Sequence, residues 1–505
     1  MVNYQFTEGT ICAPATIPGT GAISIIRVSG KESLAIADKI IDLKGESLSE
    51  TEGYRLRYGT VFAADGSVLD NVIVSVFRAP HSYTGENSVE ISCHASRFIV
   101  NAILELLVNA GARIAAPGEF TRRAFVNGKM DLAQAEAVAD VIASQSAASH
   151  KVAMNQLKGG FSSELRGLRE KLLTMTSLLE LELDFSEEDV EFASRSELGA
   201  LVNEALAHIG RLTDSFSRGN AIKNGVTVAI VGATNTGKST LMNALLGEDR
   251  AIVSDIAGTT RDTIEEMLNL GGVMFRFIDT AGIRETDEIV EKIGIERTFK
   301  KMYEASIVLG MTDLSRGENS VLANAEYIWD KVNACGAGRK FLLLVNKCDV
   351  NESESVMAGE GLVAGYAGTG FTETGSGAGS ADKTGKMARI EAALREKCIS
   401  AKLIPISAKT GYGLTVLTEA LAEIGRRITG DTDETLVTNI RHYEALVRAA
   451  TALGRVRDGL QVATLPPDLI AQDLREALYH LGEIVGEIST EEVLGNIFRN
   501  FCIGK

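Results

Sequence analysis

The spacing of hydrophobic and polar positions changes character along this chain. Up to about residue 127, short β-rich runs (Ala22–Val28, Asn71–Phe77, Ser88–Ser92) alternate with Gly/Pro turns and a helical stretch, Ser96–Asn109. That pattern predicts a mixed α+β domain over 1–127. From about Gly128 to Asn220 the apolar residues move to helix spacing. Leu132, Ala135, Val138, Ala139 and Ile142 form one series; Leu165, Leu168, Leu172, Leu173, Met175, Leu178 and Leu179 form another. Their stripes read as the core of a helical bundle. No proline lies between Pro117 and Pro405, so nothing breaks these helices.

Residues 224–428 alternate strand-like and helix-like runs, as a doubly wound parallel sheet does. From about Asp433 to Lys505 helix spacing returns. The expected organisation is a helical domain in two parts, 128–223 and 429–505, interrupted by an inserted α/β domain at 224–428. Loops between helices accept such insertions at low cost. The fold class is therefore multidomain α/β + α. Within the inserted domain, 351–385 is dominated by Gly, Ala, Ser, Thr and Glu. Such a segment buries too little apolar surface to offset its ordering entropy, and a flexible surface insertion is expected there.

Composition narrows the function. The net charge of −16 over 505 residues argues against nucleic-acid binding through one broad basic face. A local patch remains open; Arg122-Arg123 is a weak candidate, better read as a solvated face. Six cysteines (12, 93, 335, 348, 398, 502) form no C-x-x-C pair. That fits a reducing cytoplasm rather than a disulfide framework or a zinc site. The N-terminus reads as no signal peptide, and no apolar run is long enough to span a bilayer.

The chemistry sits in the inserted domain. The run Val226–Val231 reads as a buried strand and feeds into Gly232-Ala-Thr-Asn-Thr-Gly-Lys-Ser239, followed by a helix. This is a P-loop in its required strand–loop–helix setting. Backbone N–H groups from Asn235 to Thr240, including those of Thr236 and Gly237, would wrap phosphates at a helix N-terminus. Lys238 would reach the β and γ phosphates, and the Ser239 hydroxyl would ligate Mg²⁺. A second strand, Met274–Ile278, ends in Asp279-Thr280-Ala281-Gly282, suited to the Mg²⁺ side and to a γ-phosphate contact. Between them, Ser254-Asp-Ile-Ala-Gly-Thr259-Thr260 reads as a switch segment. The strand Lys340–Val345 runs into Asn346-Lys347-Cys-Asp349, whose carboxylate can accept both N–H donors of guanine. The strand Lys402–Ile406 ends in Ser407-Ala408-Lys409, suited to closing over the base. Five elements in order identify a GTP site.

Ile283 follows Gly282, where many small GTPases carry a glutamine that orients water. An aliphatic side chain polarises nothing, so hydrolysis requires another water-positioning group and another source of positive charge. Asn235 is a candidate for holding a monovalent cation beside the phosphates. Acidic candidates follow in 284–291.

At this point the chain resembles the MnmE/TrmE family of tRNA-modification GTPases over almost its whole length. The resemblance rests on Gly21-Ala-Ile-Ser-Ile-Ile-Arg27, Tyr83-Thr-Gly-Glu, Pro117-Gly-Glu-Phe-Thr-Arg-Arg and Asn127-Gly-Lys-Met-Asp-Leu-Ala-Gln-Ala-Glu136. It also rests on Asp255-Ile-Ala-Gly-Thr-Thr-Arg-Asp262, Ile293-Gly-Ile-Glu-Arg297 and Phe501-Cys-Ile-Gly-Lys505. It implies an N-terminal folate-binding and dimerisation domain, a helical domain and a Ras-like G domain. It implies a cytoplasmic homodimer that works with an FAD-dependent MnmG/GidA-type partner on carbon 5 of the wobble uridine of certain tRNAs. A 5-formyl- or methylene-tetrahydrofolate would supply the one-carbon unit. Carried over by motif, K⁺ would be held by Asn235, Ser254, Ile256 and Thr259, and Mg²⁺ by Ser239 and Thr260. The catalytic glutamate would be Glu291, and folate would meet Arg27, Glu90, Lys129 and Lys505. Competing readings are a ribosome-assembly GTPase, which would share the Asn235 signature, and a non-catalytic GTP-gated scaffold.

Overall fold

The fold comes from a computed structural model that describes residues 9–184, 194–249, 265–278, 302–334, 336, 339–349, 378–397, 399, 401–430, 434–461, 466–488, 491–499, 501 and 504. Contacts divide the chain into two compact units. One joins 1–143, 153–213 and 440–505; the other joins 144–152 and 214–439.

The first unit begins with strands β1 (Ile11–Pro14), β2 (Ile23–Ser29), β3 (Ile41–Asp42), β4 (Arg55–Phe62), β5 (Val68–Phe77), β6 (Ser88–His94) and β7 (Arg113–Ile114). They form a seven-stranded sheet in the order β3-β4-β5-β6-β2-β1-β7. Alternate residues explain its layering. Ile26 and Val28 of β2, Val72, Val74 and Val76 of β5, and Val89 and Ile91 of β6 point to one face. There they share a core with Ile36, Ile103 and Leu107 of the helices at 33–40 and 97–110. Arg27 and Glu90 fall on the opposite face, directly paired across β2 and β6. That face also exposes Leu56, Tyr58 and Ile73, with Tyr58 opposite Ile73. Cys12 and Cys93 lie in the core, and burial pushes each thiol up to about 11.

The second unit is built on a six-stranded sheet: β8 (Val226–Gly232), β9 (Glu265–Leu270), β10 (Val273–Ile278), β11 (Ile307–Asp313), β12 (Lys340–Asn346) and β13 (Lys402–Pro405). The order is β13-β12-β11-β8-β10-β9, parallel except for the β9–β10 pair. Both faces are covered, so the strands are near-continuous apolar runs. Val226, Val228 and Ile230 meet Leu241, Leu245, Leu417 and Leu421 from the helices at 238–249 and 414–429. Ala229, Val308 and Leu343 meet Val321, Ala325, Ile390 and Leu394 from those at 318–334 and 378–396. The last helix begins at Ala378, inside the Gly-rich 351–385 segment. Its buried Ile390 and Leu394 anchor the helix, which extends toward the N-terminus from there. The rest of that segment, 351–377, lies outside the described residues.

The helices at 119–126, 132–143, 160–184, 440–460, 467–485 and 491–499, with most of the one at 195–224, continue the first unit. The helix at 467–485 packs on 440–460 and on 160–184, and Arg475 donates to Glu180 at 2.7 Å. A buried ionic cluster ties them. Arg441 donates to both Glu136 oxygens, at 3.0 and 3.1 Å, and to the carbonyls of Glu483 and Ile484 at 2.8 and 3.1 Å. One guanidinium thus holds Glu136 and the otherwise orphaned end of the 467–485 helix together. His442 Nε2 lies 2.6 Å from Glu136, and its ring stacks on Phe161. Burial alone would raise the Glu136 carboxyl; the charges of His442 and Arg441 overcome it and hold it at about 2.

A depressed carboxylate contributes stability above its unfolded value and loses it as pH falls through the folded one. Glu136→Gln should therefore lower the opening free energy of the 440–460 helix at neutral pH by about 3 kcal/mol, the scale of a broken buried ion pair. Hydrogen exchange of that helix measures it. The gap between wild type and variant should close as pH falls from 4.5 toward 2.

Candidate functional site

The chain reverses its winding at β8, which lies between β10 and β11. At such a point the carboxyl ends of the strands open a crevice for ligands. The predicted nucleotide residues gather there: 232–239 after β8, 346–349 after β12 and 407–409 after β13.

The P-loop is held by its own backbone. Asn235 and Gly237 have φ of +63° and +100°. Asparagine tolerates that region, and glycine is required at the second position, where a Cβ would overlap the Asn346 amide. The buried Thr236 hydroxyl donates to the Ala233 carbonyl at 2.9 Å. Lys238 Nζ donates to the carbonyls of Gly232 and Ala233 at 2.8 and 2.9 Å. These use two of its three donors. Burial lowers its pKa, so an anion brought to this loop would relieve a desolvated ammonium. Asn235, Ser239 and Thr240 are exposed, with Ser239 and Thr240 in the first turn of the 238–249 helix. An ammonium, open hydroxyls and a helix N-terminus are the donor set that phosphate with Mg²⁺ requires.

The base side is joined to the phosphate side by one amide. Asn346 is 3% exposed. Its Nδ2 donates to the Thr236 carbonyl at 2.7 Å, and its Oδ1 accepts from Ala408 N at 3.0 Å. Lys347 takes φ of +64°, and Cys348 N then donates to the Ile406 carbonyl at 3.2 Å. Ser407 N donates to the Tyr412 carbonyl at 2.9 Å, and the Ser407 hydroxyl accepts from Thr410 N at 3.3 Å. Asp349 is half-buried and makes no hydrogen bond or ion pair among the described residues. A carboxylate so placed suits a pair of N–H donors such as guanine's. Lys409, which follows the buried Ala408, is exposed.

Several predicted residues lie outside the described residues: Ser254, Ile256, Thr259, Thr260, Asp279, Thr280, Ala281, Gly282, Glu291 and Lys505. Asp313 escaped the sequence reading. The signal was there, because β11 is an apolar run ending in an acid at the same sheet edge.

In the first unit, Arg27 and Glu90 are brought together. Arg27 Nε and Nη2 lie 2.9 and 2.8 Å from Glu90 Oε1, and the guanidinium stands 5.1 Å from the Tyr83 ring centroid and 5.6 Å from that of Phe120. The C-terminal segment arrives beside them. Gly504 O accepts from Arg27 at 3.5 Å, and a Cβ on Gly504 would overlap the Pro14 carbonyl. Lys129 flanks the same 83–86 loop; a Cβ on Gly85 would stand 3.3 Å from its Cγ, and its Nζ donates to Pro80 O at 3.0 Å. The Arg122-Arg123 patch is corrected. Arg123 is largely buried, donating to Glu86, Glu119 and the Gly9 carbonyl, because those carboxylates repay its desolvation.

Known proteins decide the family. A model of the MnmE helical domain matches 132–502, and one of the GTP-binding protein TrmE N-terminus matches 10–129. The tRNA modification GTPase MnmE of Parabacteroides distasonis is 48% identical over 499 residues, covering 98% of this chain and all of that one. The chain belongs to the MnmE family of tRNA modification GTPases. MnmE of Bacteroides fragilis is 48% identical over 503 residues, and that of Flavobacterium johnsoniae 46% over 505; each alignment covers 99% of this chain and 100% of the relative. Superposition on solved structures is loose. A crystal structure of Era with MgGDPNP and 16S ribosomal RNA nucleotides gives a TM-score of 0.28 at 22% identity, over 45% of this chain and 66% of that one. No helix among the described residues is long and apolar enough to cross a membrane.

Asn346→Ala would leave the Thr236 carbonyl and the Ala408 N–H unpaired in a buried place. Each loss is worth about 1–3 kcal/mol. GDP affinity, measured by titration calorimetry, should fall about tenfold or more.

Proposed function

We propose that this family member is a K⁺-activated GTPase whose cycle drives 5-substitution of the wobble uridine in certain tRNAs. It would act in the cytoplasm as a homodimer with an FAD-dependent MnmG/GidA-type partner and a tetrahydrofolate-derived one-carbon unit. The observation that carries the GTPase part is the P-loop apex. Asn235 holds a left-handed turn with its side chain exposed, one residue from the buried Thr236 that Asn346 clamps.

Each residue has a role in this reading. Backbone N–H groups of the P-loop and Lys238 bind and orient the phosphates, and Asp349 selects guanine. Ser239 and Thr260 would hold Mg²⁺, and Asn235 with Ser254, Ile256 and Thr259 would hold K⁺. Bound there, the two ions would supply positive charge toward the scissile phosphate bond. Glu291 orients the attacking water in place of the missing glutamine.

The folate part is supported by the Arg27–Glu90 pair and by the C-terminal segment beside it. A guanidinium suits an anionic folate tail, and a carboxylate suits paired pterin N–H donors. Lys129 and Lys505 would add cations. The homodimer is supported by the open sheet face, where Leu56 and Tyr58 are 65% and 61% exposed. An apolar face of that kind fits a second copy.

Nucleoside analysis of tRNA from cells lacking the protein tests the main claim. Wobble uridines should lose their 5-substituent; full retention sinks the reading. GTP turnover should be at least about tenfold faster in KCl than in NaCl, and Glu291→Ala should keep GTP binding while losing at least about a hundredfold in turnover. Equal rates in both salts would remove K⁺, and a wild-type rate in the variant would remove Glu291.

A further inference from the structure

Asp313, the last residue of β11, sits where the phosphate and base loops converge. It is 3% exposed. Its Oδ2 accepts from Lys347 Nζ at 2.7 Å, and its Oδ1 accepts from Ser315 N at 2.9 Å and the Ser315 hydroxyl at 2.6 Å. Arg316 Nε lies 3.7 Å from the same carboxylate, and Arg316 Nη2 reaches the Thr234 carbonyl at the P-loop apex at 3.5 Å. One buried charge therefore connects the loop after β12 to the turn that borders the P-loop.

A buried carboxylate is costly unless fully partnered. Burial raises this one, and its bonds from Lys347 and Ser315 more than offset that, leaving it below the usual carboxylate range. A strand-end turn would be satisfied by Ser315 alone, so the lysine is an addition that turn formation does not explain. Lys347 itself sits in the left-handed region at φ +64°, which a non-glycine residue keeps only when its surroundings hold it there. The Asn346 amide ties this loop on one side and the Lys347–Asp313 pair on the other. Asp349, the half-buried carboxylate assigned above to guanine, is two residues further on.

We propose that Asp313 is a positioning residue for nucleotide binding: its pairing with Lys347 preorganises the 346–349 loop, and so Asp349, to receive guanine. Asp313 touches no substrate. This rests on GTP occupying the site described above. Preorganisation cuts the ordering cost of binding, so its loss should appear in affinity and dissociation rate, with the chemical step spared.

The test uses the full chain and a fluorescent GDP. Asp313→Asn should speed GDP dissociation and raise Kd about tenfold, and raise KM for GTP similarly, with kcat at saturation within about twofold. Lys347→Met breaks the tie from the other end and should weaken GDP at least as much. In the double variant the Asp313→Asn penalty should vanish. Unchanged Kd in folded Asp313→Asn, an equal penalty in the Lys347→Met background, or a fall in kcat with KM unmoved would each overturn the proposal. If Asp313→Asn does not fold, Lys347→Met decides alone, and wild-type affinity there overturns it. Failure of the wild type to bind GDP would instead strike the GTP reading itself.

Discussion

The buried amide of Asn346 is the constraint on which the nucleotide site depends. The carbonyl it binds belongs to Thr236, 110 residues away, and the N–H it accepts belongs to Ala408, 62 residues away. A backbone bond from Cys348 to the Ile406 carbonyl already joins the two base loops, and this amide adds the tie from both to the P-loop. The amide is buried, which makes each of its bonds worth more and each omission more costly. It also explains Gly237, since a side chain there would occupy the space the amide fills. Sheet order does the rest, bringing the ends of β8, β11 and β12 side by side.

The same logic recurs in the first unit with charge in place of an amide. Arg441 joins Glu136 to the end of the 467–485 helix. Immediately beyond that end, Gly486 sits so close to Leu132 and Phe125 that any Cβ would strike them. The chain then runs through the 491–499 helix, where Gly118 admits the Phe498 backbone, and reaches Pro14 with Gly504. Small residues at each close approach let the C-terminal segment lie against the sheet that carries Arg27 and Glu90. An amphipathic helical tail thus brings Gly504 beside the Arg27–Glu90 pair. The P-loop unit needs no such delivery, because the described loops 232–239, 346–349 and 407–409 leave one sheet edge.

The elements of both units were largely legible. The strand expected at Val226–Val231 is Val226–Gly232, that at Lys340–Val345 is Lys340–Asn346, and Ser96–Asn109 became the helix Arg97–Ala110. Buried strands write continuous apolar runs and half-buried helices write stripes, so each carries its environment in local order. β4 was not read: Leu56 and Tyr58 do alternate with Arg55 and Arg57, but two arginines and Gly59 dilute the β-rich signal, and the apolar pair lies on the exposed face. Its exposed residues belong to the sheet's open side.

The sequence by itself determined the GTPase class and the family, because the motifs that carry them are contiguous turns whose residue spacing is fixed by the turn. Asn346 was named as a base-loop residue on that ground. Only the tertiary structure decided that its amide is the tie between loops, that Lys347 answers to Asp313, and that Arg123 is buried among carboxylates rather than offered to a nucleic acid. Those roles join residues far apart in the chain through single hydrogen bonds and ion pairs. Such contacts leave no period or motif in the sequence, since their geometry exists only once separate strands and helices have packed.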